Sequence, residues 1–456
     1  MHRRIESAMT MMTDPRHFKL RLFIEGNIIG VATGMVIALF RYLLELSEEY
    51  LPVLYRWLPE HSVWIPVWFL ALFLCSWVLY RIVSKDGMTS GSGIPQIKGI
   101  LLGEMDMNWA RVLVLKFTGA VLGIGAGMSL GREGPSVQLG ACLGQGLGRL
   151  THRSYAESHY LLTAGAGAGL AAAFNAPLAG VIFCLEELTK NFSAFVLMGA
   201  ISAAVTATTV TQYFFGMQPV FHMGVVPVID TGHMYFLLIL LGAFVGLLGL
   251  AFNPMLTRSQ DFYKKVPARW RPVVPLFCAG VLGFVLPQIL GGGSRLVDSL
   301  VVTDYTLAFL VLLLAAKFLF TMVCFGSGVP GGIFLPMLVL GSVGGAVFAK
   351  VAIFFQWMPE LFAVNCIVFG MAAYFSAVVK SPITGSVLIM EMTGSFEHML
   401  ALIIVSMTAY LVSDLTGGAP VYDMLLARSL AVREKIASRI RHRRVLLELS
   451  VGVKSA

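Results

Sequence analysis

Residues 131–144 read Gly131-Arg132-Glu133-Gly134-Pro135-Ser136-Val137-Gln138-Leu139-Gly140-Ala141-Cys142-Leu143-Gly144. At an offset of 201 the chain reads Gly332-Ile333-Phe334-Leu335-Pro336-Met337-Leu338-Val339-Leu340-Gly341, with Gly345 in the place of Gly144. The two glycine-proline frames and the later Leu-Gly pairs coincide. The same offset matches Lys116-Phe117 with Lys317-Phe318, Gly125 with Gly326 and Gly127 with Gly328. Further on the offset drifts to 205, matching Pro177 with Pro382, Gly180 with Gly385 and Glu186 with Glu391. A drift of four residues is what one loop insertion gives. The chain is therefore two related halves, a pattern of transporters whose site forms near mid-membrane between discontinuous helices.

Composition says what these halves are dissolved in. Of 456 residues, 57% are hydrophobic and only 13% charged, whereas soluble domains carry about 25% charge. Apolar stretches at 63–83, 235–252, 307–325 and 399–412 approach the roughly 20 residues that cross a bilayer. A β-barrel would alternate in segments of ~10 residues, and this chain does not. The 47 glycines and 19 prolines point to close helix packing and broken helices.

The net charge of +8 gathers at the ends. Arg3, Arg4, Arg16, Lys19 and Arg21 precede the first apolar stretch. Arg428, Arg433, Lys435, Arg439, Arg441, Arg443 and Arg444 follow the last. The positive-inside rule puts both termini in the cytoplasm of an inner-membrane protein, so the number of crossings is even. If each half has an odd number, the halves are inverted relative to one another. The expected division is a cytoplasmic segment 1–20, a first repeat 21–220, a second repeat 221–430 and a basic cytoplasmic tail 431–456. Juxtamembrane charge accounts for the basic runs without nucleic acid, and no signal peptide is expected.

Six cysteines lie scattered in apolar segments without a Cys-x-x-Cys or Cys/His cluster, so neither metal nor disulfide is expected. The nine histidines fall in the ends and in loop-like segments. A serine hydrolase built on Ser92 would lack an intramembrane base, and no enzyme is expected.

Four glycine/proline-rich stretches interrupt the apolar background: Gly91-Ser92-Gly93-Ile94-Pro95, Gly131-Arg132-Glu133-Gly134-Pro135, Gly332-Ile333-Phe334-Leu335-Pro336 and Gly417-Gly418-Ala419-Pro420-Val421-Tyr422. In the first three, glycine leads and proline closes the motif just before a new apolar run, which marks a helix N-terminus. Irregular backbone at membrane depth is tolerated where it is buried or lines a cavity. Several N-termini meeting there would aim free N–H groups and positive dipole ends at one place. That is an anion site without a full positive charge, suited to an ion that must also leave.

These motifs, in this order and spacing over about residues 20–430, resemble those of the CLC family of chloride channels and chloride/proton antiporters. The resemblance implies an all-α polytopic membrane protein of two inverted-topology repeats of broken and tilted transmembrane helices. It implies a homodimer in the lipid bilayer with one pore per subunit, chloride and protons as the transported ions, and no other cofactor. Ser92 and Tyr422 would offer hydroxyls to a central chloride beside the backbone N–H groups of Ile333 and Phe334. Glu133 would be the gating glutamate, competing with chloride for an outer site lined by the backbone of Arg132, Glu133 and Gly134. Glu187 would be the inner proton-transfer glutamate of the antiporters, whose presence disfavours the alternative of a passive chloride channel. Serine at 92, where nitrate exchangers carry proline, implies chloride. Gln96 departs from the glutamate that many members carry beside this motif. With 26 residues after Leu430, the paired nucleotide-binding domains of many eukaryotic members are not expected here.

The repeat supplies a second reading of the acids. Glu186 is matched by Glu391 and reads as structural, either capping a helix end or facing cytoplasmic water. Glu187 is matched by Met392, Glu133 by Phe334 and Ser92 by Gly293; these break the symmetry, as one-way chemistry requires, and an acid within the membrane is a functional candidate by default. From the residues alone, other roles stay open: Glu133 paired with Arg132, Glu187 solvated at a helix end, Ser92 as a turn residue and Tyr422 as an interfacial aromatic. Lys116 and Lys317 match across the repeat and read as structural charge partners at helix ends.

Overall fold

The computed structural model describes residues 15–229 and 232–434. Arg3, Arg4 and most of the basic tail 431–456 lie outside the described residues. The first half contains α1 (Pro15–Glu60), α2 (Ile65–Lys85), α3 (Ile94–Leu101), α4 (Trp109–Gly125), α5 (Glu133–Leu150) and α6 (Tyr155–Phe174). It closes with α7 (Pro177–Phe183), which runs into a π-helical turn at Cys184–Leu188, and α8 (Ala194–Phe215). The second half contains α9 (Gly232–Leu250), α10 (Phe252–Lys265), α11 (Val273–Val285), α12 (Ser294–Val302) and α13 (Leu307–Gly326). It continues with α14 (Phe334–Phe354), α15 (Ala363–Val379), α16 (Pro382–Thr393) and α17 (Met399–Leu415), and α18 covers 421–434. Nine helical stretches among the described residues are long and apolar enough to cross a membrane. α1 begins at Pro15, inside the segment 1–20 expected to precede the repeats, and α18 runs past residue 430.

The sequence repeat is a structural repeat. α5 and α14 start 201 residues apart, at Glu133 and Phe334, while α6 and α15 end 205 apart, at Phe174 and Val379. The four extra residues therefore fall between Phe354 and Ala363, where a short helical turn, Glu360–Phe362, has no counterpart between Leu150 and Tyr155. The counterpart of the 46-residue α1 is the pair α9 and α10, broken at Ala251. Pro254, three residues on, has no N–H to return to the Leu250 carbonyl, so the helix restarts there.

Two sets of hydrogen bonds fix how the halves are related. Glu186, after α7, accepts from the Ile383 and Thr384 N–H groups at 3.2 and 2.6 Å. Glu391, near the end of α16, accepts from Leu178 and Ala179 at 3.1 and 2.8 Å. Each helix thus ends on the N-terminus of its twin, where a carboxylate satisfies orphan N–H groups and opposes the dipole. The twins run antiparallel, so the axis relating two membrane-embedded helices lies in the membrane plane and the repeats are inverted. Gly131 and Gly332, themselves twins, exchange both backbone hydrogen bonds at 2.7 and 2.8 Å. The repeat axis passes between them.

Lipid gives helices no hydrophobic reason to associate, so contact depends on small residues that let backbones approach. A Cβ on Gly140 of α5 would meet the Gly165 carbonyl carbon of α6 at 2.9 Å, and one on Gly341 of α14 would meet Gly370 of α15 equally closely. The outer α2 instead shows Val67, Leu70, Phe73, Leu74 and Trp77 to its surroundings.

Lys116 and Lys317 differ from expectation. Both are fully buried within α4 and α13, and their partners are carbonyls rather than charges. Lys116 Nζ donates to Thr89 and Gly91 at 3.1 and 2.5 Å, and Lys317 Nζ to Ile289 and Gly291 at 2.9 and 2.8 Å. The loops before α3 and α12 turn these carbonyls inward, where they need donors.

Candidate functional site

The N-termini of α3, α5 and α14 meet at the repeat axis. The Gly131–Gly332 bridge sets α5 against α14 so closely that a Cβ on Gly332 would lie 3.0 Å from the Gly134 nitrogen. The loop Gly91-Ser92-Gly93 lies against α5: a Cβ on Gly134 would stand 2.8 Å from the Ser92 carbonyl oxygen and overlap its hydroxyl. Gly93 caps α3 at φ +98°, a left-handed conformation natural to glycine. Gly293 caps α12 at the same φ. The structural twin of Ser92 is therefore Gly292, not Gly293, because the register shifts by one residue in the turn-rich segment before these helices.

That correction explains why there is one such site and not two. In the second half the twin of Gly134 is Leu335, and a Cβ on Gly292 would meet Leu335 Cδ2 at 2.6 Å. A leucine side chain fills the position that Gly134 leaves to the Ser92 hydroxyl.

Ser92, Glu133 and Tyr422 are at most 2% exposed. Ser92 Oγ, Tyr422 OH and Glu133 Oε1 are all buried without a hydrogen-bond partner. A buried orphan polar group costs about 1–3 kcal/mol, and two of these three are hydroxyls able to donate to an anion. Tyr422 is fully buried, which removes the role of interfacial aromatic. Ile333 and Phe334 are fully buried where α14 begins, and their N–H groups have no intrahelical acceptor. The Phe334 ring packs on Phe174, Phe183 and Phe375, with centroids 5.4, 6.5 and 4.6 Å away.

The Glu133 carboxylate reaches across the axis, and its Oε2 accepts from the Leu335 N–H at 3.2 Å. A carboxyl oxygen thus sits on the N-terminus of α14, where an anion is favoured. Arg132 is not its ion-pair partner. Its guanidinium turns to Glu45 at 3.3 Å, which also holds Arg41 at 3.2 Å. The Arg132 charge acts on Glu133 through space, without an ion-pair contact.

Glu187 is buried in the π-helical turn. Its Oε1 accepts from Lys98 Nζ at 2.7 Å and its Oε2 from Ser381 Oγ at 2.9 Å, so it is not a solvated helix-end residue. Tyr422 lies within electrostatic reach of both Glu133 and Glu187. Lys98 also pairs with Asp423, and Asp423 with Lys190 at 2.6 Å. Lys98, Asp423, Lys190 and Ser381 are neighbours of the candidate residue Glu187 that sequence reasoning missed. Gln96 draws attention beside the first motif, but the residue in contact with the inner acid is Lys98, two positions on. The available signal is a lone cation in an apolar eight-residue helix. The histidines depart from the expected loop-like segments: His159 lies inside α6, and His398 ends the helical turn Phe396–His398, buried with a ring nitrogen 3.2 Å from the Val226 carbonyl.

A sequence model of the voltage gated chloride channel family matches residues 71–414. The H(+)/Cl(-) exchange transporter ClcA of Vibrio cholerae serotype O1 is 38% identical over 426 residues, covering 88% of each chain. The protein of the same name from Yersinia pseudotuberculosis is 34% identical over 433 residues, covering 92% of this chain and 90% of its own. Among solved structures, a slow cyanobacterial Cl−/H+ antiporter superposes with a TM-score of 0.85 at 30% identity, over 90% of this chain and 98% of that one. A CLC-type fluoride/proton antiporter shares the fold, with a TM-score of 0.72 at 24% identity, over 87% of this chain and 96% of that one.

Proposed function

This chain belongs to the voltage gated chloride channel family, the CLC proteins, and from that premise we propose that it exchanges chloride for protons as an antiporter rather than conducting chloride passively. The observation that carries this reading is the Glu133 carboxylate seated on the N-terminus of α14, beside the Ser92 loop that packs on Gly134. A carboxylate in an anion position is a chloride competitor whose charge depends on a proton. While ionised, it holds the Leu335 N–H and excludes chloride from the outer site lined by residues 132–134. Once protonated, it loses the charge that the helix dipole favours and gives the position up to chloride.

The central chloride would then rest on Ser92 Oγ, Tyr422 OH and the N–H groups of Ile333 and Phe334. These are neutral donors and dipole ends, which bind an anion without trapping it. Glu187 would relay the proton on the other side of Tyr422. The relatives named H(+)/Cl(-) exchange transporters favour exchange over a channel.

The wider organisation follows the same reading. The protein acts in the inner membrane as a homodimer, with both termini cytoplasmic and the repeats meeting near residue 220. Supporting a shared side for the ends, Arg21 near the start of α1 pairs with Glu157 of α6 at 3.6 Å. The neighbouring Tyr155 lines a cavity together with Leu430 of α18.

The chloride site is tested by calorimetry on purified protein. Chloride should bind the wild type measurably, and Ser92→Ala combined with Tyr422→Ala should weaken it at least tenfold, since each lost neutral hydrogen bond is worth about 1 kcal/mol. Unchanged affinity in the double variant would remove these hydroxyls from the site.

A further inference from the structure

Behind Glu187 lies a row of alternating charge that the exchange reading does not use. It runs Glu187, Lys98, Asp423, Lys190, and side-chain exposure rises along it from 3% through 6% and 35% to 54%. The row leads from the membrane interior to a cavity of about 770 Å³, room for roughly 25 water molecules. Lys98, Asp423 and Lys190 line that cavity, and Glu187 lies behind Lys98. The ammonium is therefore the last charged group between cavity water and the inner carboxylate.

We propose that Lys98, held between Glu187 and Asp423, is a positioning residue for proton uptake: it fixes the inner carboxylate and sets, against Asp423, how readily that carboxylate takes a proton from the cavity. The inference rests on the antiport reading and assigns control of its inner step. Among the described residues, the charged or titratable groups facing Glu187 come from three elements. α3 brings Lys98, the loop after the π-helical turn brings Lys190, and α18 brings Tyr422 and Asp423. Across the cavity α6 presents Tyr155, His159 and Tyr160. Glu186, next in sequence, is turned away onto the N-terminus of α16.

The step balances without a further reactant. A hydronium ion in the cavity gives its proton to Glu187 Oε1 and becomes water, the Lys98–Glu187 contact opens, and the carboxylate becomes a neutral acid. Lys98 keeps its own protons and stays paired with Asp423. Without that second carboxylate, neutralising Glu187 would leave a buried ammonium unpaired, which is strongly disfavoured. Asp423 thus allows Lys98 to release the inner acid, while its negative charge also favours the protonated form.

The two partners should shift proton uptake in opposite directions. In reconstituted vesicles, the proton flux divided by the chloride flux is followed against pH on the cavity side. Lys98→Gln removes the cation that holds Glu187 ionised and should move the midpoint up by about one pH unit or more. Asp423→Asn removes a like charge and should move it down by about one unit. Lys98→Arg, which keeps the charge, should stay near the wild type. A merely structural role would lower both fluxes and leave the midpoint in place. Should Lys98→Gln fail to fold, the substitution at the half-buried Asp423 decides alone. Midpoints that do not move, or that move the same way, while the wild type still couples, overturn the inference and leave the antiport reading standing. A wild type that moves no protons overturns both.

Discussion

In the Glu133→Gln variant, chloride is expected to keep crossing while chloride-driven proton movement falls to that of empty vesicles. Glutamine has nearly the shape of the glutamate, and its side-chain oxygen can still accept from the Leu335 N–H. What it lacks is a titratable charge. The competition between carboxylate and chloride disappears, and with it the acid that would carry a proton inward. The sign of the pH dependence follows. In the wild type, lowering the pH neutralises the competitor, so chloride flux should rise as pH falls. In the variant this rise should flatten. Proton movement persisting in Glu133→Gln would contradict the role assigned to this residue.

The second large effect is expected from Glu187→Gln. Proton movement should again fall to background, because the relay between Tyr422 and the cavity has lost its acid. The fold should survive, since Lys98 retains Asp423 as a partner and Ser381 can still donate to the amide oxygen. Here the pH dependence separates the two variants. Glu133 remains, so chloride flux in Glu187→Gln should still rise as pH falls. Proton flux that survives this substitution would place the inner relay elsewhere.

Much of this arrangement is legible in the sequence because it is written twice. The match of Gly131 with Gly332 and of Pro135 with Pro336 gives the two halves, and the structure adds that the two glycines bond to each other across the axis. Glu186 and Glu391 read as structural from their equivalence alone, and they cap each other's partner helices. The register before α3 was beyond the pattern. There the halves differ by one residue, and Ser92 finds its twin in Gly292 only through the matching left-handed caps at Gly93 and Gly293. The carbonyl partners of Lys116 and Lys317 were equally hidden, since a loop's inward carbonyls leave no mark in side-chain composition. The Lys98–Glu187–Asp423 contacts join α3, the π-helical turn and α18, segments up to 325 positions apart. No local spacing announces such a meeting.

The central claim is that one site holds either chloride or the Glu133 carboxylate, so that chloride can drive protons. It is tested most directly with the wild-type protein in vesicles, given a chloride gradient, no starting pH difference, and voltage clamped by potassium and valinomycin. The account predicts that external pH changes as protons move against their own developing gradient, in step with chloride. Chloride flux at a constant pH would contradict it and make the protein a channel.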